Sequence, residues 1–298
     1  MAKWRLSPEI RKDPARAKRF IEKYEKDLRG LFGRYIDDAI RSLSEEYGIR
    51  LTNLAIDGLA ADAMLEVLKS LISGYLPEIM EIATSNADAA YKQGVRVGGM
   101  NLGRVGVKAP TTLIPADYRA LDWIEKRNLT VLEGVTQDIN DAIVREVSQG
   151  LIQGESFREV AERLAKVTDL SEERAYKIAR YETMLSLNQG TINRYYQNGV
   201  EKVEWIAGYD DHTCDDCLAL DGKIFDIDDI PECPLHVNCR CTLAPVILRD
   251  YSPGFAMKAA RNAGVTFEAS MYSRISTPPL YLDASLSNLR CNHSVGVT

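Results

Sequence analysis

The chain has 298 residues, 45% of them apolar and 27% charged, with a formal net charge of −6. That is the composition of an ordinary folded protein at the length of two domains, and it excludes a disordered or collagen-like chain. The longest apolar region, Leu59 to Leu76, is interrupted by Asp62, Glu66 and Lys69, so no stretch is expected to cross a bilayer.

From Pro14 to about Tyr47, apolar residues such as Phe20, Tyr24, Leu28, Leu31, Tyr35 and Ile36 recur at spacings of three and four, which predicts one long helix or two stacked ones. Two more helices are predicted over 58–73 and 77–92, joined at Ser73-Gly74 with Pro77 in a first turn. Between Gly94 and Pro110 lie five glycines among Arg96, Arg104 and Lys108. A phosphate loop is excluded, because Gly98-x4-Gly103 is followed by Arg104-Val105 instead of Lys and Ser or Thr, and no Gly-x-Gly-x-x-Gly occurs. The segment reads as a flexible connection or an arm ordered by a partner.

Helices resume after Pro115. Tyr118 to Arg127 is followed by Val131, Val135, Ile139, Ile143 and Val147, a stripe at every fourth residue that ends at Gly150. Ser156-Phe157-Arg158-Glu159 has the form of a capping box for a short helix to Val167, and Ser171 is expected to cap a long one that stops at Asn198-Gly199. Arg180 and Glu182 fall inside that last helix, where a buried pairing against the following module is expected in preference to catalysis. Val203 and Trp205 alternate with Lys202 and Glu204 as in a strand.

The stretch from Trp205 to Cys241 holds five of the six cysteines and two of the three histidines, spaced Cys214-x2-Cys217-x18-His236-x2-Cys239-x-Cys241 with Cys233 three residues before the histidine. Two close pairs separated by such a spacer form the two-knuckle zinc pattern, in which soft donors converge on a tetrahedral ion. One structural Zn²⁺ is expected. Cys214 and Cys217 make the first knuckle; Cys233 with His236, or His236 with Cys239, makes the second, and Cys241 is an alternative to Cys239. Asp221-Gly222 between short apolar runs predicts a β-hairpin between the knuckles. A disulfide cluster would need an oxidising compartment, and the N-terminus, Met1-Ala2-Lys3-Trp4-Arg5, lacks the apolar core of a secretory signal.

These readings predict a mainly α fold, a multi-helix body with a small C-terminal α+β module in which zinc staples a hairpin. Five segments are expected: an N-terminal helical region 1–93, a glycine-rich connection 94–116, a helical domain 117–200, a zinc-binding module 201–250 and an extended tail 251–298. The tail carries apolar beads such as Phe267, Tyr272 and Tyr281 that suit docking on another subunit or a loosely packed terminus, and its Cys291-Asn292-His293 is too isolated for a metal site.

Charge is unevenly spread. Residues 1–30 carry ten Lys and Arg against five Asp and Glu, a net of +5, whereas 201–250 carry four against twelve, a net of −8. An acidic metal module repels a phosphate backbone, so any DNA contact is expected to be non-specific and to come from the N-terminal arm, although a solvated helix face with Glu22, Glu25 and Asp27 is the preferred reading of that arm. An enzymatic site finds little support. His212 stands alone beside Asp210 and Asp211, a zinc deaminase would need His-x-Glu before Pro-Cys-x-x-Cys, and the acidic cluster with Asp215 and Asp216 reads as solvated in preference to a Mg²⁺ site.

Asp210 to Cys217, Leu220-Asp221-Gly222 and Pro234 to Cys241, with Arg180-Tyr181-Glu182-Thr183 on the preceding helix, resemble the minor head (head morphogenesis) proteins of tailed phages, the Mu F-like type. The likeness spans about residues 125 to 246. Val237 stands where that family usually has proline, and Cys233 is an additional thiol. The resemblance implies a structural, non-enzymatic minor head component that acts with portal and major capsid proteins in head assembly and accompanies DNA delivery. It implies location in the virion head, and in host cytoplasm during assembly. The alternative is an enzyme or toxin-type effector that uses the zinc module as a fold staple.

Overall fold

The computed structural model describes residues 12–47, 58–153, 155, 157–209 and 213–247. Residues 1–11 of the basic arm, the Ser156 cap, Asp210, Asp211, His212 and the tail with Cys291 and His293 lie outside the described residues. Among the described residues four long helices come first: α1 (Lys18–Tyr47), α2 (Gly58–Arg104), α3 (Asp117–Ile152) and α4 (Phe157–Gln197). A small module follows, with β1 (Lys202–Ile206), α5 (Asp215–Leu220), β2 (Ile224–Asp226), a 3-10 turn (Ile227–Asp229) and β3 (Thr242–Val246). The expected class, helical with a small α+β end, is what the chain adopts.

Three expected breaks are absent. Helix α2 runs through Ser73-Gly74 and Pro77. Proline removes one ladder hydrogen bond, but the helix is held on both sides of it: the Tyr75 hydroxyl donates to Asp38 at 2.7 Å, its ring meets Tyr35 edge-on at 5.3 Å, and Ile79 and Ala83 are buried. The same helix continues through the glycines to Arg104, so the flexible connection expected from Gly94 onward is in fact helical as far as Arg104. Helix α4 likewise passes Ser171 without a stop. The serine hydroxyl donates to the Val167 carbonyl at 2.7 Å, a bond within the helix in place of a cap.

The chain divides into two compact units, one of residues 23–84 with 127–179, the other of the residues before 23, 85–126 and those from 180 onward. In the first, stripes of large apolar residues are buried: Leu28, Leu31, Phe32 and Ile36 of α1, and Val131, Val135, Ile139 and Ile143 of α3. The Tyr35 hydroxyl, buried there, bonds to Asn140.

The second unit is built around the last part of α4, where every residue from Arg180 to Tyr195 is buried. Glycines of α2 and α4 make this possible. A Cβ on Gly94 would lie 1.9 Å from the Leu187 carbonyl oxygen, one on Gly98 2.9 Å from the Arg194 Cβ, and one on Gly190 2.4 Å from the Tyr91 oxygen. Gly94 and Gly98 therefore act as a small-residue seam on which two helix backbones meet.

The sheet of this unit is antiparallel in the order β2-β1-β3, with Val203 opposite Phe225 and Trp205 opposite Leu243. One face carries Val203, Trp205, Leu243 and Pro245 into the interior. The expected hairpin is corrected in detail: Gly222, at φ +75°, does make a turn, but residues 215–220 before it are a helix, and the partner of β2 is β1.

Candidate metal centre

Helix α5 and two loops deliver the donors. Cys214 precedes the helix and Cys217 lies in its first turn, so both sulfurs face one point. The helix is fixed to β1 through the turn after it: Gly222 N–H donates to the Trp205 carbonyl at 2.8 Å, and the Asp221 carboxylate accepts the Ala207 N–H at 2.9 Å. These bonds give the Leu220-Asp221-Gly222 signature a physical purpose. The second set arrives on the loop before β3, where the Cys239 N–H donates to the His236 carbonyl at 2.9 Å. Gly208 and Arg240 bring the two loops together, since a Cβ on Gly208 would sit 3.0 Å from that of Arg240.

The donor atoms converge. Nε2 of His236 lies 3.2 Å from the Cys214 sulfur and 3.1 Å from the Cys217 sulfur, and Cys217 is 3.8 Å from Cys239. A tetrahedral Zn²⁺ with Zn–S bonds of about 2.3 Å places neighbouring sulfurs about 3.8 Å apart. The donors form two triads sharing Cys217, Cys214–Cys217–His236 and Cys217–Cys239–Cys241, with the atoms of each within 4.8 Å of one another. All five sequence-predicted ligands are thus in the cluster, and the set of soft sulfur donors with one imidazole suits a thiophilic ion of tetrahedral preference.

Proton sharing within the cluster points the same way. The Cys217 thiol is raised because it hydrogen-bonds to Cys239 and Cys241, and Cys239 is correspondingly held well below the ordinary thiol value by bonds from Cys217 and Cys241 and by backbone N–H groups. The bond of Cys241 to Cys217 works downward, but its bond to Cys239 and its burial leave it pushed up to about 12. Two thiols, Cys217 and Cys241, crowd around the favoured Cys239 thiolate, the arrangement a cation would relieve.

Cys233 is separate. It belongs to neither triad, and burial raises its thiol well above the ordinary value. Its sulfur accepts from Asn188 Nδ2 at 3.2 Å and donates to the Cys241 carbonyl at 3.5 Å.

Sequence reasoning did not find the side chains that hold this loop. On α4, Tyr181, Asn188 and Tyr195 are seven residues apart and so lie on one face. The Tyr181 hydroxyl donates to Glu232 at 2.8 Å, Asn188 Nδ2 to the Cys241 carbonyl at 3.0 Å, and the Tyr195 hydroxyl to the Leu243 carbonyl at 3.0 Å. Thr242 closes the ladder with a 2.9 Å bond to Asn188 Oδ1. No local signal in the sequence sets Tyr181, Asn188 and Tyr195 apart, because the same stretch of α4 also carries Glu182, Thr183, Gln189, Asn193 and Arg194 in its buried part.

Arg180 and Glu182 are both buried. Deeper in the unit, Arg194 and Asp117 form an ion pair of 2.9 Å between fully buried side chains. Asp117 also accepts from Tyr91, Gln197 and the Ile114 N–H.

Comparison with known proteins locates this geometry. Residues 141–244 match the family described as Phage Mu protein F like protein. An uncharacterized protein of Haemophilus influenzae is 24% identical over 234 residues, 75% of this chain and 52% of that protein. An NAD(+)–arginine ADP-ribosyltransferase, EFV, of Enterococcus faecalis is 28% identical over 143 residues, 42% of this chain and 28% of that protein. The chain thus spans about half the length of the first of these relatives and less of the second. No solved structure matches. Among the described residues, no helix is long and apolar enough to cross a membrane. The matched stretch begins in α3 and ends in β3 and encloses every donor of the cluster, so the part of the chain that is similar to the Phage Mu protein F like family is the part that carries the cysteine and histidine spacing.

Proposed function

We propose that the chain is a minor head protein of a tailed phage or prophage whose Cys/His cluster holds one structural Zn²⁺. The observation that carries this reading is the coincidence of the family match with the converged donors: the matched residues are those whose geometry accepts a tetrahedral ion. Cys214, Cys217 and His236 supply three ligands and the Cys239–Cys241 loop the fourth. When bound, the ion supplies folding free energy to a module too small to bury a core of its own.

In this reading the protein acts with the portal and major capsid proteins during head assembly, in host cytoplasm, and resides in the virion head. The net-basic N-terminal arm contributes at most weak, salt-sensitive contact with DNA. The test is co-expression with a portal protein encoded beside it: co-purification and incorporation into heads are expected, and failure of both overturns the assembly role.

A second reading rests on the similarity to the ADP-ribosyltransferase: an effector that uses the module as a staple. Only 28% of that protein is covered, so its activity does not follow for this chain. ADP-ribosylation of arginine by the purified chain, dependent on NAD⁺, would replace the first reading with this one.

A further inference from the structure

Five donors stand where a tetrahedral ion needs four, and their arrangement singles out the surplus. Cys239 and Cys241 are placed alike: neither falls in the Cys214–Cys217–His236 triad, and both lie within 4.8 Å of Cys217 and of each other. They differ in how they are held. Cys239 receives the Cys241 N–H on its sulfur at 3.4 Å and ties its own N–H to His236, so its position depends on the knuckle itself. Cys241 is anchored from the other side, through its carbonyl to Asn188 at 3.0 Å and through its neighbour Thr242 to the same asparagine. Losing the Cys239 sulfur leaves these anchors intact.

We infer that Cys241 is a reserve ligand, a buried thiol held beside the metal position that takes the fourth site when Cys239 is lost or chemically blocked. The exchange is between two thiolates: the Cys239–metal bond breaks, the Cys241–metal bond forms, and the Cys241 proton leaves to solvent. Ligand count and net charge of the centre are conserved, so the module keeps its fold through damage to one thiol. This rests on the reading of the cluster as a metal centre.

Cobalt substitution tests it, because the intensity of the thiolate-to-Co²⁺ charge-transfer bands reports how many sulfurs bind. The wild-type chain should bind one Co²⁺ with three thiolates and one imidazole. Cys239→Ser should retain the three-thiolate tetrahedral spectrum, with affinity reduced about 10- to 100-fold. Cys241→Ser should match wild type, and the double variant should fall to two thiolates and lose tight binding. A two-thiolate spectrum in Cys239→Ser alone overturns the inference while leaving the metal centre standing. A wild-type chain that binds no Co²⁺ or Zn²⁺ overturns the centre itself. To keep the test independent of how Cys239→Ser folds, Cys239→Ala refolded in excess Co²⁺ gives a second measure: it should show the same three-thiolate spectrum, and a two-thiolate spectrum there counts against the reserve role.

Discussion

The two compact units are held together by different chemistry. The unit of residues 23–84 and 127–179 relies on apolar stripes, with its charged groups outside in pairs such as Lys23–Asp27 and Lys69–Glu66. The other unit buries Glu182, Thr183, Asn188, Gln189, Asn193, Arg194 and Gln197 on one helix and adds the Cys/His cluster. Apolar contact is forgiving and distributed, whereas a polar interior places its stability in a few groups, each costly to leave without its partner. Single substitutions should therefore separate the units by what is lost with the stability: a metal ion or a buried polar partner in one, packing alone in the other.

The largest effect is expected at the donors. Cys214→Ser or Cys217→Ser should unfold residues 201–247, because structural zinc contributes on the order of 10 kcal/mol in small zinc peptides. Elemental analysis should find about one zinc per wild-type chain by the four-donor stoichiometry. Circular dichroism before and after chelation should report the loss of the module, and a chain that is metal-free and fully folded would sink the idea. Acidification should release the ion as well, since its ligands bind only when deprotonated.

Next comes the buried ion pair. Asp117→Asn leaves Arg194 as an uncompensated charge in the interior, which costs about 3–5 kcal/mol. Urea denaturation should show that loss with the zinc content unchanged. Gly94→Ala falls in the same range or above it, because its Cβ would have to share space with the Leu187 carbonyl. A stable Gly94→Ala protein would mean that α2 and α4 do not meet at this seam. By contrast, Leu28→Ala in the other unit should cost about 2–5 kcal/mol through an ordinary cavity. Asn188→Ala removes three hydrogen bonds from the loop and should cost about 1–3 kcal/mol while lowering metal affinity about tenfold.

How far each unit could be read from sequence follows the same division. The stripes Leu28 to Ile36 and Val131 to Val147 were legible because a helix stripe is a local pattern. The metal donors were legible for the same reason: Cys214 and Cys217, then His236 to Cys241, are short-range spacings. What escaped was decided at long range. The helix through Gly94, Gly98 and Gly99 exists because glycine lets it approach Leu187 and Arg194, about a hundred positions away, while the local rule reads glycine as freedom. Ser171 looked like a cap because its residue type favours one, but its hydroxyl bonds backward to Val167. Asn188 gave no local sign of its role, since its partners are Cys233, Cys241 and Thr242.

The smallest predicted effect completes the comparison. Lys23 and Asp27 form an i, i+4 pair of 2.5 Å on α1, with side chains 67% and 33% exposed. Water screens such a pair, ordering the long lysine chain offsets much of the attraction, and the order of the charges, cation before anion, is the less favourable one against the helix dipole. A double-mutant cycle of Lys23→Ala and Asp27→Ala should give a coupling of about 0.3 kcal/mol at low salt, fading toward zero at high salt. A coupling above about 1 kcal/mol, well beyond the usual range for exposed pairs, would show that charge contributes to the apolar unit after all. The contrast between the two units would then be one of degree, with the metal cluster alone setting them apart.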